Sequence, residues 1–279
     1  MDRAVSVSAS VRARTAARAL RHGGSALLVA AACVLAAPAQ ADCSKLVATG
    51  NPEYPPYLWR ETPDGNRLVG ANAELMALLS KDIGLPIEVR YVGTWARVQE
   101  EARQGRVDLI AGAFFTLPRL EYLDYVHPAF HVTRSVVWTR QAHPIGYSQW
   151  KDLQAKSGLT VINNSFGEEF DRYAKASLRI STVSSLEQAL RMVERGRADY
   201  LVYEEAPALA YIAKLEVPGL AAEPGAVSNE GLYLALSHQS ACNTPELRAK
   251  LARAMYRFDR EKVMKKLVDG ALQDWRRRK

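Results

Sequence analysis

The chain has 279 residues, 48% of them hydrophobic, enough to bury an ordinary core in one or two domains, and a formal charge of +7. Much of that charge sits in residues 1–41, which hold five arginines against one aspartate and leave 32 basic and 29 acidic residues in the remainder. A body so close to neutrality argues against a nucleic-acid binder, and the cationic end Arg276–Lys279 reads as a solvated tail.

Residues 1–41 read as an export signal. Arg3, Arg12, Arg14, Arg18 and Arg21 make a positive start, Ser25–Ala37 an apolar run, and Ala39–Ala41 a small-x-small site, so cleavage is expected before Asp42. The apolar run is short for a membrane span, which takes about 20 residues. A retained anchor and a lipoprotein attached at Cys33 are the alternative readings of this segment. The exported chain keeps two cysteines, Cys43 and Cys242. In an oxidising compartment they suggest one disulfide, from the mature N-terminus to a segment near the C-terminus. His127, His131, His143 and His238 are scattered and no CxxC spacing occurs, so neither a metal site nor a cofactor is expected.

Along the mature chain, Lys45–Gly50 reads as a short strand and Asn51–Glu61 as a Pro- and aromatic-rich loop. Asn72–Gly84 is a predicted helix, with Leu75, Met76, Leu79 and Ile83 on one face and Gly84 ending it. Pro86–Val92 alternates as a half-buried strand does. Thr94 is a candidate N-cap for a helix over Trp95–Gln104, which Gly105 closes, and Val107–Gly112 is a buried strand. This βαβαβ order predicts a parallel sheet layered with helices. The second half repeats it. Leu159–Asn164 is a strand, and Ser165–Glu168 fits a capping box opening a helix. Arg179–Val183 is a strand, and Ser184–Glu187 fits a second box whose helix ends at Gly196. Ala198–Tyr203 is the closing strand. Val217–Gly231 reads as a Gly/Pro-rich connection, Leu232–Ser237 as a strand, and Thr244 with Pro245 as the start of a long C-terminal helix.

Two segments share one grammar. "GRVDLIAG" (Gly105–Gly112) and "GRADYLVY" (Gly196–Tyr203) each follow a helix and each close an α/β layer. Asp108 and Asp199 stand at the strand starts and read as structural. Ligands on such sheets bind beyond the carboxyl ends of the strands. The first copy delivers Gly112–Arg119 to that edge, the second Tyr203–Pro207, and two such edges facing each other make a cleft.

In order along the chain stand "YPPY", "LVGANAELMALLSKDIGL", "GRVDLIAG", Thr116-x-x-Arg119, "DYVHPAF", "SFGEEF" and "GRADYLVYEEAPAL", then a terminal strand and helix. The ordered set resembles the family 3 extracellular solute-binding proteins, the periplasmic receptors of polar amino-acid ABC transporters. The resemblance implies two α/β lobes, each a mostly parallel sheet layered with helices, joined by two hinge strands around a ligand cleft. Lobe 1 would comprise residues 42–130 and 231–279 and lobe 2 residues 131–230, which puts Cys43 and Cys242 in one lobe.

The resemblance also assigns roles. Arg119 matches the arginine that clamps a ligand carboxylate, a task that suits a forked, permanently charged guanidinium; a surface salt bridge with Glu121 or Asp124 is the plainer reading. Ser165, Phe166 and Gly167 match the loop that meets the same carboxylate at a helix N-terminus. Glu204 stands where the family has an aspartate for the ligand ammonium, with Glu205 as its solvated neighbour. Asn51 likewise replaces an aspartate. Tyr54 and Trp95 match aromatic walls, while Tyr57 reads as core. Gly112 and Thr116 flank the departure, Phe114, where the family has Ser or Thr; this ring puts a standard α-amino-acid pocket in doubt.

The expected function is therefore non-enzymatic. A monomeric periplasmic binding protein would close on a small carboxylate-bearing solute, for an ABC permease or a signalling receptor, with no membrane span in the mature chain. The competing reading is a cyclohexadienyl-dehydratase-like enzyme on the same fold, with Glu168, Glu169 or Glu204 as general acid.

Overall fold

The computed structural model describes residues 43–277, so the predicted export signal and its cleavage site lie outside the described residues. In chain order, β1 (Leu46–Thr49) leads to three short strands, β2 (Glu53–Tyr54), β3 (Leu58–Arg60) and β4 (Leu68–Val69). Then come α1 (Ala71–Ile83), β5 (Ile87–Val89), α2 (Trp95–Arg103) and β6 (Leu109–Phe114). A 3-10 turn at Leu117–Glu121 carries the chain into β7 (Leu123–Arg140), and another at Trp150–Leu153 precedes β8 (Ser157–Val161). α3 (Glu168–Ser177), β9 (Arg179–Val183), α4 (Leu186–Glu194), β10 (Tyr200–Glu204) and α5 (Glu205–Leu215) follow. β11 (Leu220–Ser237), α6 (Pro245–Arg260) and α7 (Val263–Arg277) close the chain.

The main sheet has the order β5-β1-β6-β11-β7-β10-β8-β9. β1 pairs in parallel with β5 and β6 on one side, and β8 with β9 and β10 on the other. Between these two parallel sets run β7 and β11, 18 residues each and antiparallel to one another. β11 meets β6 through Leu232–Leu236, while β7 meets β10 through Ser135–Trp138. Each end of this long pair thus serves a different set of parallel strands. Two α/β lobes result, joined by two strands, in the architecture expected from the sequence.

The repeated segments do the same work in each lobe. Gly105 and Gly196 sit at φ 67° and 68°, the left-handed turn that ends a helix at low cost only for glycine. One carboxylate oxygen of Asp108 accepts from Val47 N–H at 2.7 Å, and one of Asp199 accepts from Ser157 N–H at 2.7 Å. Each aspartate therefore pins the start of the neighbouring parallel strand. The disulfide Cys43–Cys242 is formed and ties the approach to β1 to the turn between β11 and α6.

Four local expectations shift. The connection predicted at Val217–Gly231 is mostly strand, because β7 supplies partners for a backbone that reads locally as loop. Pro224 and Gly225 fall in a register irregularity between Ala222 and Ala226, where the missing N–H breaks no ladder. The loop at Asn51–Glu61 contains strands of a three-stranded sheet, β2-β3-β4. The capping box expected at Ser184–Glu187 is not formed, and the N-cap stands one residue later: Ser185 Oγ accepts from Gln188 N–H at 3.1 Å, and Gln188 Oε1 accepts from Ser184 N–H at 3.2 Å. The C-terminal helix is two helices, broken where Lys262 takes φ 54°; Thr244 caps the first, accepting from Leu247 N–H at 3.2 Å. Among the described residues no helix is long and apolar enough to cross a membrane.

If the two aspartates are equivalent strand anchors, Asp108→Ala and Asp199→Ala should each lower unfolding stability by about 1–2 kcal/mol, measured by urea denaturation at pH 7. The Asp199 carboxyl is held below its usual pKa, first by the Ser157 N–H bond. Its contribution is therefore complete above the ordinary carboxylate range and fades as pH falls through the lowered folded value. Wild type and Asp199→Ala should converge in strong acid; an undiminished gap there would contradict the assignment.

Candidate functional site

Three strands end on one cleft. β6 stops at Phe114 and the 3-10 turn beyond it turns Arg119 inward. β10 stops at Glu204, which is also the N-cap of α5. β8 stops at Val161, and Asn163 then takes φ 60° in the turn towards α3. Seven expected residues, Asn51, Tyr54, Trp95, Gly112, Phe114, Arg119 and Glu204, surround one cavity together with Ala113, Asn164 and Leu232. It is narrow, about 20 Å³, the space of a single water molecule.

Arg119 is 5% exposed. Its Nη1 donates to Phe114 O at 3.0 Å, its Nε to Gln99 Oε1 at 3.3 Å and its Nη2 to Asn163 O at 3.2 Å. The guanidinium also lies 5.3 Å from the Trp95 ring centroid. All its hydrogen-bond acceptors are neutral. The plainer expectation of a surface salt bridge does not hold: Glu121 pairs with Arg103 at 3.9 Å, and Asp124 with His238 and Arg248 at 3.4 and 3.7 Å.

Glu204 is 2% exposed, and its carboxylate accepts one long bond from Asn164 Nδ2 at 3.5 Å. Burial pushes its pKa up to about 7, against hydrogen bonding and the pull of Arg119, with Asp171 adding to the rise. Glu205 opens α5 and pairs with Arg134 at 2.8 Å, so it is tied down and not simply solvated. Asn51 Nδ2 donates to the Tyr203 hydroxyl at 3.3 Å and its Oδ1 accepts from Glu53 N–H at 3.0 Å. Tyr57 is core, as expected, with its hydroxyl 3.0 Å from His131 Nε2.

The α3 loop departs from expectation. Thr116 and Ser165 line a wider adjoining cleft of about 780 Å³, which they share with Arg119. Phe166 turns away to pack on Phe170, with ring centroids 5.9 Å apart, and faces a separate groove with Trp150 and Glu230. Gly167, at φ 94°, is the true N-cap, has no side-chain cap bond and lies against the Glu230 carboxylate. The box predicted on Ser165 and Glu168 is replaced by Asp171. Ser165 Oγ and Phe166 N–H (2.9 Å) both donate to Asp171, whose carboxylate reaches back from the first turn of its own helix. The donors assigned to a ligand carboxylate at this loop are thus already engaged. Glu168 instead accepts from Leu117 N–H at 3.3 Å, across the cleft.

Gln99, Asn163 and Asn164 belong to the site and were not singled out. Gln99 stands one helical turn after Trp95, so helical spacing would have found it. The two asparagines follow β8 at its carboxyl end, the edge that located Arg119 and Glu204. Among the described residues no group of His, Cys, Asp and Glu is set to hold a metal ion.

Residues 46–273 match the bacterial extracellular solute-binding proteins, family 3. The L-cystine-binding protein TcyA of Bacillus subtilis (strain 168) is 21% identical over 159 residues, 57% of each chain, so the match spans little more than half the length of that relative. The amino acid ABC transporter substrate-binding protein AbpA from Streptococcus pneumoniae, bound to L-arginine, is similar in fold: TM-score 0.69, 18% identity, 83% of this chain and 96% of that one. A histidine kinase sensor domain with similarity to periplasmic binding proteins reaches TM-score 0.68 at 19% identity, over 83% and 95% of the two chains.

The Glu204 carboxyl binds its proton more tightly folded than unfolded, so folding stability should fall as pH rises from about 4.5 to about 7. Glu204→Gln removes that loss. The variant should match wild type near pH 4.5 and exceed it at pH 8 by up to about 3 kcal/mol, read by urea unfolding at both pH values. A variant no more stable than wild type at pH 8 would show Glu204 to be ionised at little cost.

Proposed function

Because the chain belongs to the bacterial extracellular solute-binding proteins, family 3, we propose that it is a non-enzymatic receptor whose lobes close on a small carboxylate-bearing solute. The observation that carries this reading is Arg119, a cation almost fully buried at the cleft with neutral acceptors only. A buried charge so placed is stabilised most by an anion that enters with it, and a fork of donors favours a carboxylate. TcyA and AbpA are named for or bound to L-cystine and L-arginine, which both carry such a group.

The rest of the ligand would lie between Tyr54, Trp95 and Phe114, whose faces suit an apolar or ring-bearing body. Phe114 takes the place of a hydroxyl donor and narrows the cavity, so the solute is an amino acid held differently or a related acid. A cavity of about 20 Å³ admits no such molecule unless the walls part. We take residues 42–130 with 231–279 as one lobe and 131–230 as the other, so that the solute would enter by hinge motion about β7 and β11. An export signal cut before Asp42 would carry the chain to the periplasm, and the Cys43–Cys242 bond supports an oxidising compartment. Closure would present the loaded form to an ABC permease; a signalling receptor is the other reader of the same closed shape.

One feature favours an enzyme as the second reading. Glu204, buried beside a narrow cavity with its pKa pushed up to about 7, has the protonation state that a general acid needs. Aromatic product formed from prephenate or arogenate by the purified protein, and lost in Glu204→Gln, would establish it.

The receptor reading is tested by a thermal-shift screen with amino acids, polyamines, organic acids and aromatic acids, followed by calorimetry on the hit. A carboxylate should raise the melting temperature. Arg119→Ala should then weaken its affinity on the order of 100-fold, while Arg119→Lys restores charge without the fork and only part of the affinity. Unchanged affinity in Arg119→Ala rejects the role.

A further inference from the structure

Three N–H donors of one lobe converge on a single oxygen of the other. Trp95 Nε1, Gln99 Nε2 and Arg119 Nη2 lie 3.2, 3.1 and 3.2 Å from the carbonyl oxygen of Asn163. Their geometry is held from behind. Gln99 Oε1 accepts from Arg119 Nε at 3.3 Å and from the Tyr122 hydroxyl at 3.2 Å, which turns the amide so that its NH2 faces Asn163. On the other lobe, the left-handed backbone of Asn163, a conformation asparagine tolerates better than most residues, aims the carbonyl across the cleft. Other hydrogen bonds between the lobes are single: Asn51 to Tyr203, Tyr57 to His131, Leu186 N–H to Glu53, Leu117 N–H to Glu168 and Trp275 Nε1 to Ala210 O.

We infer that the Asn163 carbonyl is a built-in occupant of the anion receptor formed by Arg119, Gln99 and Trp95, a latch that closes the lobes without a ligand. A carbonyl oxygen has two lone pairs and no charge, so three donors oversubscribe it. A carboxylate has about four acceptor sites and a charge to match Arg119. It would satisfy the same donors better, so a solute gains the receptor by expelling the carbonyl. Gln99 is then a binding residue in its own right. What displaces the latch rests on the carboxylate reading above, but the latch itself is testable with no ligand, so the two can fail separately.

Two variants separate the bonds from the packing. Gln99→Glu keeps the acceptor for Arg119 and Tyr122, removes the donor and turns a carboxylate towards Asn163. Trp95→Phe keeps an aromatic ring and removes the indole N–H. The reporter is hydrogen exchange at the Leu186 amide, which donates across the cleft to Glu53 Oε2 at 3.2 Å. The control is the Ser157 amide, held within its own lobe by Asp199. With no ligand present, each variant should speed exchange at Leu186 by about fivefold, the worth of one typical hydrogen bond, with Ser157 unchanged. Small-angle scattering of the double variant should show a larger radius of gyration than wild type. Unchanged exchange at Leu186, equal acceleration at both amides, or equal radii of gyration would each overturn the latch.

Discussion

A guanidinium carried almost out of water, hydrogen-bonded to neutral oxygens and to no carboxylate, is the constraint around which the cleft is arranged. Isolated burial of such a charge costs several kcal/mol even after relaxation. Arg119 is tolerated because the fold turns oxygen dipoles and a ring towards it. Phe114 O comes from the end of its own strand, Gln99 from α2, and Asn163 O from the opposite lobe. The Trp95 face adds a quadrupole. One of these partners exists only while the lobes are together, so the solvation of Arg119 is coupled to the hinge. In the proposed hinge motion, opening would expose the charge to water and closure would offer it a carbonyl or a carboxylate, and the long pairing of β7 with β11 would make that motion a rotation of two preformed lobes and not an unfolding.

What could be read in the sequence was what is local. The Gly-Arg-x-Asp unit is legible because a helix stop and a strand anchor act within a few residues, and both copies hold the same bonds. Strand ends on a parallel sheet put Gly112–Arg119 and Tyr203–Pro207 on one edge, and the family resemblance singled out Arg119 and Glu204 within them. The misses are non-local or lack a side-chain signature. β11 was hidden because its Pro- and Gly-bearing half becomes strand only beside β7. The helix start at Ser165 was misassigned because Glu168 and Asp171 are both acids near the same N-terminus, and sequence spacing favours the wrong one. Asn163 contributes a backbone oxygen, for which no residue type is a signal.

The departures at the site combine into one electrostatic statement. The cavity sets the Arg119 guanidinium against Glu204, whose carboxyl pKa burial raises to about 7. With Glu204 protonated the cavity carries one net positive charge and offers an O–H donor, which Phe114 does not. That arrangement suits a simple carboxylate with an apolar body. With Glu204 ionised the cavity holds a separated pair of charges, which suits a zwitterion lying between them. The small volume sharpens this distinction, since a cavity of about 20 Å³ holds about one water molecule to screen the charges that face it. On the proposed receptor reading, the amide at Asn51 and a protonated Glu204 lower the negative charge of the pocket while Phe114 adds apolar wall, a combination that would favour a ligand's acid group and apolar body over its ammonium.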